Sequence, residues 1–287
     1  MVGGDENPID PAGVVAHRGG MRDPLEGVTD SGTIRTGAAL HRVAAPYRPV
    51  LAAVVEAVAA ADRRASVLVY GSVATGQARP PGSDVDLLTI GLAPDDAARI
   101  GAELSERYAS LCRGVEIGAG GRDDTVGDSD EAYGNRVFLR HYCVHLAGPE
   151  PEVAAVGFPA DARAARGFNG DLAGHARRWR HAVGEVAPDE LARRVARKTL
   201  LAVAGLVSVA DGTWTTDRDL AARRWAELEP GCADELARLA AWTTTAAGTS
   251  DDEVAAALDG IVEQVVAAFD ERIGLWPEAR LTTRRPP

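Results

Sequence analysis

Two carboxylates one residue apart, Asp84 and Asp86, open the apolar run DVDLLTI at residues 84–90. Alternate residues of a strand share a face, so the pair projects together while Val85 and Leu87 turn to the other side. Adjacent carboxylates repel, and one stays protonated unless a cation neutralises them. Mg²⁺ suits such a pair: it binds one or two carboxylates and completes its shell with phosphate oxygens and water. Upstream, the apolar run SVLVY (66–70) leads into Gly71-Ser72, separated from Asp84 by eleven residues. A glycine there leaves room beside a phosphate, and Ser72 adds a hydroxyl and an amide. A third acid, Glu116, sits between Val115 and Ile117 in GVEIG (114–118), an odd place for a charge in a short buried strand. Beside a bound metal it can accept the proton of an attacking hydroxyl. The constellation implies a metal cradle for a nucleoside triphosphate.

The elements that must position these groups follow from the periodicity. A helix is predicted over 49–65, strands over 66–70 and 84–90, a helix over 94–112 and a short strand at 114–118. Residues 119–134 read as an acidic, glycine-punctuated loop, and 138–148 as a further strand. After Pro151 the composition shifts to Ala, Arg and Leu, with helices predicted near 169–184, 188–210, 217–228, 232–245 and 251–273. The fold class expected is α+β: a small mixed-sheet domain with flanking helices over 37–157, then an all-helical bundle over 158–287. Residues 1–36, rich in Gly, Pro and Asp, read as a flexible leader, and His17-Arg18-Gly19-Gly20 within it reads as linker.

The composition, 46% apolar and 25% charged, is that of a globular protein with a sizeable core. The 42 acidic against 31 basic side chains leave a net charge of −11, which disfavours bulk binding to nucleic acid and suits a cationic ligand. Three widely separated cysteines argue against a disulfide framework, and neither a signal peptide nor a membrane span is read. A cytoplasmic enzyme is expected, with no membrane partner.

The stretch VYGSVATGQARPPGSDVDLL (69–88) resembles the signature of the nucleotidyltransferase fold of the DNA polymerase β superfamily. That resemblance implies transfer of a nucleoside monophosphate from a nucleoside triphosphate to a hydroxyl or phosphate, with two Mg²⁺ ions and three carboxylates and release of pyrophosphate. YGS…SDVDLL, GVEI, HYCVHLAGPEP (141–151) and ADGTWTTDRDLAARRWAELEP (210–230) together resemble the aminoglycoside adenylyltransferases that modify streptomycin and spectinomycin. This likeness, over roughly residues 50 to 275, implies ATP as co-substrate, Glu116 as base and a helical domain supplying cations to the triphosphate.

The chain departs from that family at several points. The lysine expected after the turn that follows the long helix is replaced by Arg218, displaced by one residue. Arg197 and Lys198 on the preceding helix are further phosphate candidates, or members of a solvated face. Trp179, with Glu185 as the acid following it, corresponds to the family's substrate helix, and Trp179 is open to a stacking or a core role. Arg177, Arg178 and Arg180 around it suit a polycationic acceptor poorly. Two alternatives stay open: a transferase acting on a protein, an RNA end or a metabolite, and a nucleotide-binding module without turnover. His141, Cys143 and His145, which would alternate along one strand, lack a fourth ligand at zinc-like spacing. The loop acids Asp123, Asp124, Asp128, Asp130 and Glu131 read as a solvated loop.

Overall fold

The computed structural model describes residues 23–153 and 155–277. It is α+β, with a small mixed sheet followed by helices. A two-stranded hairpin, β1 (Gly27–Val28) and β2 (Ile34–Arg35), precedes α1 (Arg48–Ala61). Then come β3 (Ser66–Tyr70), a short helix α2 (Gly71–Thr75), β4 (Val85–Ile90), α3 (Pro94–Arg107) and β5 (Val115–Gly120). The first part closes with α4 (Asp130–His141) and β6 (Val144–Ala147). The sheet order is β5-β4-β3-β6; β3 runs antiparallel to both its neighbours, while β4 and β5 are parallel.

Period-two alternation divides the sheet's residues between two surroundings. Val67, Val69, Val85, Leu87 and Val115 pack with Val50, Val54 and Val58 of α1 and Ile100 and Leu104 of α3. Leu68 and Ile90, from the alternate positions, pack instead with Leu139 of α4. Tyr70, Asp86 and Glu116 occupy that second set of positions.

The remaining helices are α5 (Ala162–Asn169), α6 (Leu172–Ala182), α7 (Pro188–Asp211), α8 (Arg218–Leu228), α9 (Ala233–Thr244), α10 (Asp251–Ala257) and α11 (Glu263–Arg272). A π turn, Leu258–Val262, joins α10 to α11, and Arg180 donates to the Leu258 carbonyl at 2.9 Å. Their common core is built on α7, with Trp225, Leu239, Ile261 and Phe269 among its members. Tyr133 and Val137 of α4 and Ile34 of the hairpin belong to this same core.

Three expectations need correction. Residues 23–36 were expected as part of a flexible leader, but they fold: Ile34 N–H donates to the Phe158 carbonyl and Ala160 N–H to the Gly32 carbonyl, which ties the hairpin to the segment before α5. His17 to Gly20 lie outside the described residues. The segment 130–141 is a helix rather than loop and strand. Ser129 caps it by accepting from the Ala132 N–H at 3.1 Å, Asp130 and Glu131 occupy its first turn, and Tyr133 and Val137 recur at helical spacing. His141 therefore ends a helix and does not alternate with Cys143 and His145 along one strand.

The helix α4 meets α5 backbone to backbone. A Cβ on Gly134 would lie 2.4 Å from the Gly167 carbonyl carbon, and one on Gly167 would lie 2.6 Å from the Gly134 Cα. One turn away, the Arg166 guanidinium grips both Asp130 carboxylate oxygens at 2.8 and 3.1 Å. Gly134→Ala is expected to force the helices apart and cost about 1–3 kcal/mol, as overpacking does. Gly231→Ala, where a Cβ meets nothing within 4 Å, is the control and should leave the thermal midpoint nearly unchanged.

Candidate active site

Tyr70, Asp86 and Glu116 form one row across three strands. Tyr70 is the cross-strand partner of Asp86, and Asp86 that of Glu116. Paired residues of adjacent strands present their side chains on the same face, so the register sets the two carboxylates side by side. The chain turns sharply at the end of β3: Gly71 has φ +69°, a conformation that side-chain-bearing residues rarely adopt, and a Cβ there would lie 2.5 Å from Asp86 Oδ2. Gly71 and Ser72 then open α2, whose first-turn amides have no intrahelical acceptor. The expected set of Gly71, Ser72, Asp86 and Glu116 is thus gathered at one end of the sheet.

Asp84 lies just before β4 and makes a two-pronged ion pair with Arg113, from the loop preceding β5. Nε donates to Oδ1 at 2.9 Å, and Nη2 closes on Oδ2. Sequence reasoning missed Arg113; its only signal was its place next to Gly114 at the head of the acidic strand.

The electrostatics of the row centre on Asp86. Burial, then the neighbouring charges of Glu116 and Asp84, push its carboxyl up to about 6, against the opposing pull of Arg197 and Arg113. Burial and the charge of Asp86 likewise raise the Tyr70 phenol. A cation would relieve this crowding. Among the described residues no three acid, His or Cys side chains converge as a preformed metal cage. The donors nonetheless fit a hard divalent ion, since Asp86 and Glu116 are adjacent carboxylates, while Asp84 would join them by giving up an oxygen now held by Arg113.

The cation candidates separate. Lys198 is committed to the helical core side, its Nζ donating to the Phe168 carbonyl at 2.9 Å and pairing with Asp171 at 2.7 Å. Burial opposes the charge on Asp171, but a hydrogen bond from His175 and the nearby Lys198 hold its carboxyl at about 2. Lys198 is thus a structural ion, a correction to its expected phosphate role. Arg197 is exposed and its charge acts on Asp86. Arg218 donates through Nε to the Arg197 carbonyl at 3.1 Å, and burial with the Arg197 charge lowers its pKa. The two arginines form a positive corner, and its Arg197 charge reaches Asp86.

The expected substrate pair is not brought to this corner. Trp179 is 6% exposed, inside the helical core with its ring 5.3 Å from that of His175. Glu185 is exposed next to Gly184, whose N–H lies 3.3 Å from the Asp251 carboxylate at the start of α10. The aromatic rings near the acids are others, all missed in the sequence. Tyr70 meets Phe138 edge-on at 5.1 Å, Phe138 meets Phe168 at 6.4 Å, and Phe168 meets Trp214 at 5.9 Å. Their sequence separation hides them, since each belongs to a different element.

Residues 51–152 match the family model of the nucleotidyltransferase domain. The match spans α1 to β6 and so contains Gly71, Ser72, Asp84, Asp86, Arg113 and Glu116, while Arg197 and Arg218 lie beyond it. No curated protein matches the chain. Among the described residues no helix is long and apolar enough to cross a membrane.

The raised carboxyl of Asp86 sets a testable sign. A group bound more tightly to its proton in the folded state favours folding while protonated, and that contribution fades as pH rises through about 6. With a chelator present, Asp86→Asn should therefore stabilise the protein at pH 8 by about 1–3 kcal/mol, a pKa unit being worth roughly 1.4 kcal/mol. The gain should disappear by about pH 4, where the wild-type group is itself neutral. Thermal melts across this range are the measurement.

Proposed function

We propose that the protein transfers a nucleoside monophosphate, AMP in the first instance, from a nucleoside triphosphate to a hydroxyl of a small molecule, with Mg²⁺ required. The carrying observation is the register that aligns Asp86 with Glu116 beside the Gly71-Ser72 turn, where the charge of Arg197, the residue to which Arg218 is bonded, also acts. Asp84 and Asp86 would hold the metal, two ions in the full assembly, and these would neutralise phosphate charge and screen the carboxylates from one another.

The chain's own groups account for the rest. The backbone at Gly71 and Ser72 lets phosphate approach closely, because no side chain stands at 71. Arg197 and Arg218 bind the triphosphate, Arg218 from a half-buried position that favours close pairing with an anion. Glu116 accepts the proton of the acceptor hydroxyl as its oxygen forms a bond to the α-phosphorus. The bond from that phosphorus to the bridging oxygen breaks, and pyrophosphate leaves. The base is the neighbour of the metal-holding Asp86, so proton removal and phosphoryl attack occur at the same end of the sheet.

A cationic aminoglycoside or aminocyclitol is the acceptor class we favour. The acid surplus of the chain and its resemblance to streptomycin and spectinomycin adenylyltransferases support it. Trp179 and Glu185 do not; recognition must come from other side chains, with Tyr70 and Phe138 next to the acids as the nearest rings.

Pyrophosphate release from ATP and Mg²⁺ across a panel of aminoglycosides and spectinomycin tests both levels. We expect release that depends on one acceptor, falls to background in Asp86→Asn and drops by about 10²–10⁴-fold in Glu116→Gln. Release without drug dependence, but with a protein, RNA or metabolite acceptor, would keep the transferase and overturn the antibiotic. ATP binding with no release for any acceptor would overturn catalysis and leave a nucleotide-binding module.

A further inference from the structure

Glu26, on the segment leading into β1, lies outside the region that matches the nucleotidyltransferase domain. Its carboxylate receives four hydrogen bonds. Oε1 accepts from the Tyr142 hydroxyl at 2.6 Å and from Thr216 Oγ1 at 2.8 Å. Oε2 accepts from the Thr216 N–H at 2.8 Å and from Thr215 Oγ1 at 3.3 Å. Trp214 Nε1 completes the set by donating to the Tyr142 hydroxyl at 2.7 Å. Three parts of the fold thus converge on one side chain: the N-terminal segment, the end of α4 and the link from α7 to α8.

These partners are hydroxyls and an amide, not cations. A half-buried carboxylate without a counter-ion is a costly way to fill space. It differs from an amide or an apolar filler in having two oxygens that accept from four donors at once, and it orders the link that holds those donors. That link ends at Arg218. Thr215 Oγ1 also accepts from the Asp217 N–H at 3.0 Å, Asp217 caps α8 through the Leu220 N–H at 2.8 Å, and Arg218 is the first residue of α8. Arg218 in turn bonds to the carbonyl of Arg197, whose charge reaches Asp86.

We propose that Glu26 is a positioning residue for the nucleotide: by fixing Thr215 and Thr216 it sets Arg218 where the phosphates bind. This rests on the phosphate role given above to Arg218. An N-terminal segment outside the nucleotidyltransferase match would then be needed for nucleotide affinity, acting through the helical part of the fold.

The test uses the full chain and measures Mg-ATP affinity by calorimetry, with thermal melts alongside, for wild type, Glu26→Gln, Arg218→Ala and the double variant. Glutamine keeps the shape but offers one acceptor oxygen. We expect Glu26→Gln and Arg218→Ala each to weaken binding about 10-fold, the size expected for losing hydrogen bonds to a charged group. The double variant should be no weaker than Arg218→Ala alone, since both act through one guanidinium. Thr216→Val, which removes a single donor, should weaken binding by about 2–3-fold and serves if Glu26→Gln folds poorly. Wild-type affinity in both Glu26→Gln and Thr216→Val, or losses that multiply in the double variant, would overturn the proposal. Wild-type affinity in Arg218→Ala would also overturn it, yet leave nucleotidyl transfer standing so long as the wild type binds ATP and Asp86→Asn reduces that binding. No ATP binding by the wild type would overturn both.

Discussion

The backbones of α4 and α5 touch at Gly134 and Gly167, with no side chain between them. This crossing lets α4 serve two layers. Leu139 packs with Leu68 and Ile90 of the sheet, while Tyr133 and Val137 enter the core built on α7. Helices bearing larger residues at the crossing stand about 8–10 Å apart; without Cβ atoms the two approach closely enough for Arg166 to grip Asp130 and for Phe138 to reach Phe168. The helix α7, which carries Arg197, packs in that same core, and the Arg197 charge reaches Asp86.

Electrostatics gives the joint its purpose. The sheet gathers Asp86 and Glu116 on a half-buried face, with Asp84 alongside, and such a group is uncomfortable by itself: the Asp86 carboxyl is driven up to about 6. Arg113 offsets part of the charge locally by pairing with Asp84, and Arg197 offsets part of it from the helical side. The aromatic rings from Tyr70 to Trp214 fill the space between sheet and helices without adding charge. Like-charge crowding is thus concentrated at the acid row beside the Gly71 turn.

Much of this was legible in the chain. The strand SVLVY shows as an apolar run ending at Gly71, the acids at 84, 86 and 116 show by their alternation with apolar residues, and the helices after residue 188 by their period and their acidic starts. The misreadings share a cause. FLRHYCVHL is rich in aromatic and apolar residues that suit a strand, yet the Ser129 cap and the contacts of Tyr133 and Val137 make its first part helical. Trp179 is a ligand candidate only through its resemblance to the family's substrate helix, but helical geometry turns Arg177 and Arg178 outward and the indole inward, while Arg180 reaches across to the π turn. Glu26 sat in a segment without apolar period, and its role depends on partners more than a hundred residues away.

The sequence by itself determined which residues are able to do the chemistry and how each local element runs, because strand alternation, helix period and glycine freedom act over a few neighbours. The tertiary structure alone decided which of them meet. It joined Asp86 to Glu116 by strand register, turned Arg113 onto Asp84, gave Lys198 to Asp171 and brought the Arg197 charge to Asp86. Charge pairing depends on distances between atoms far apart in the chain. Those distances are set only when the sheet and the helices have packed against each other.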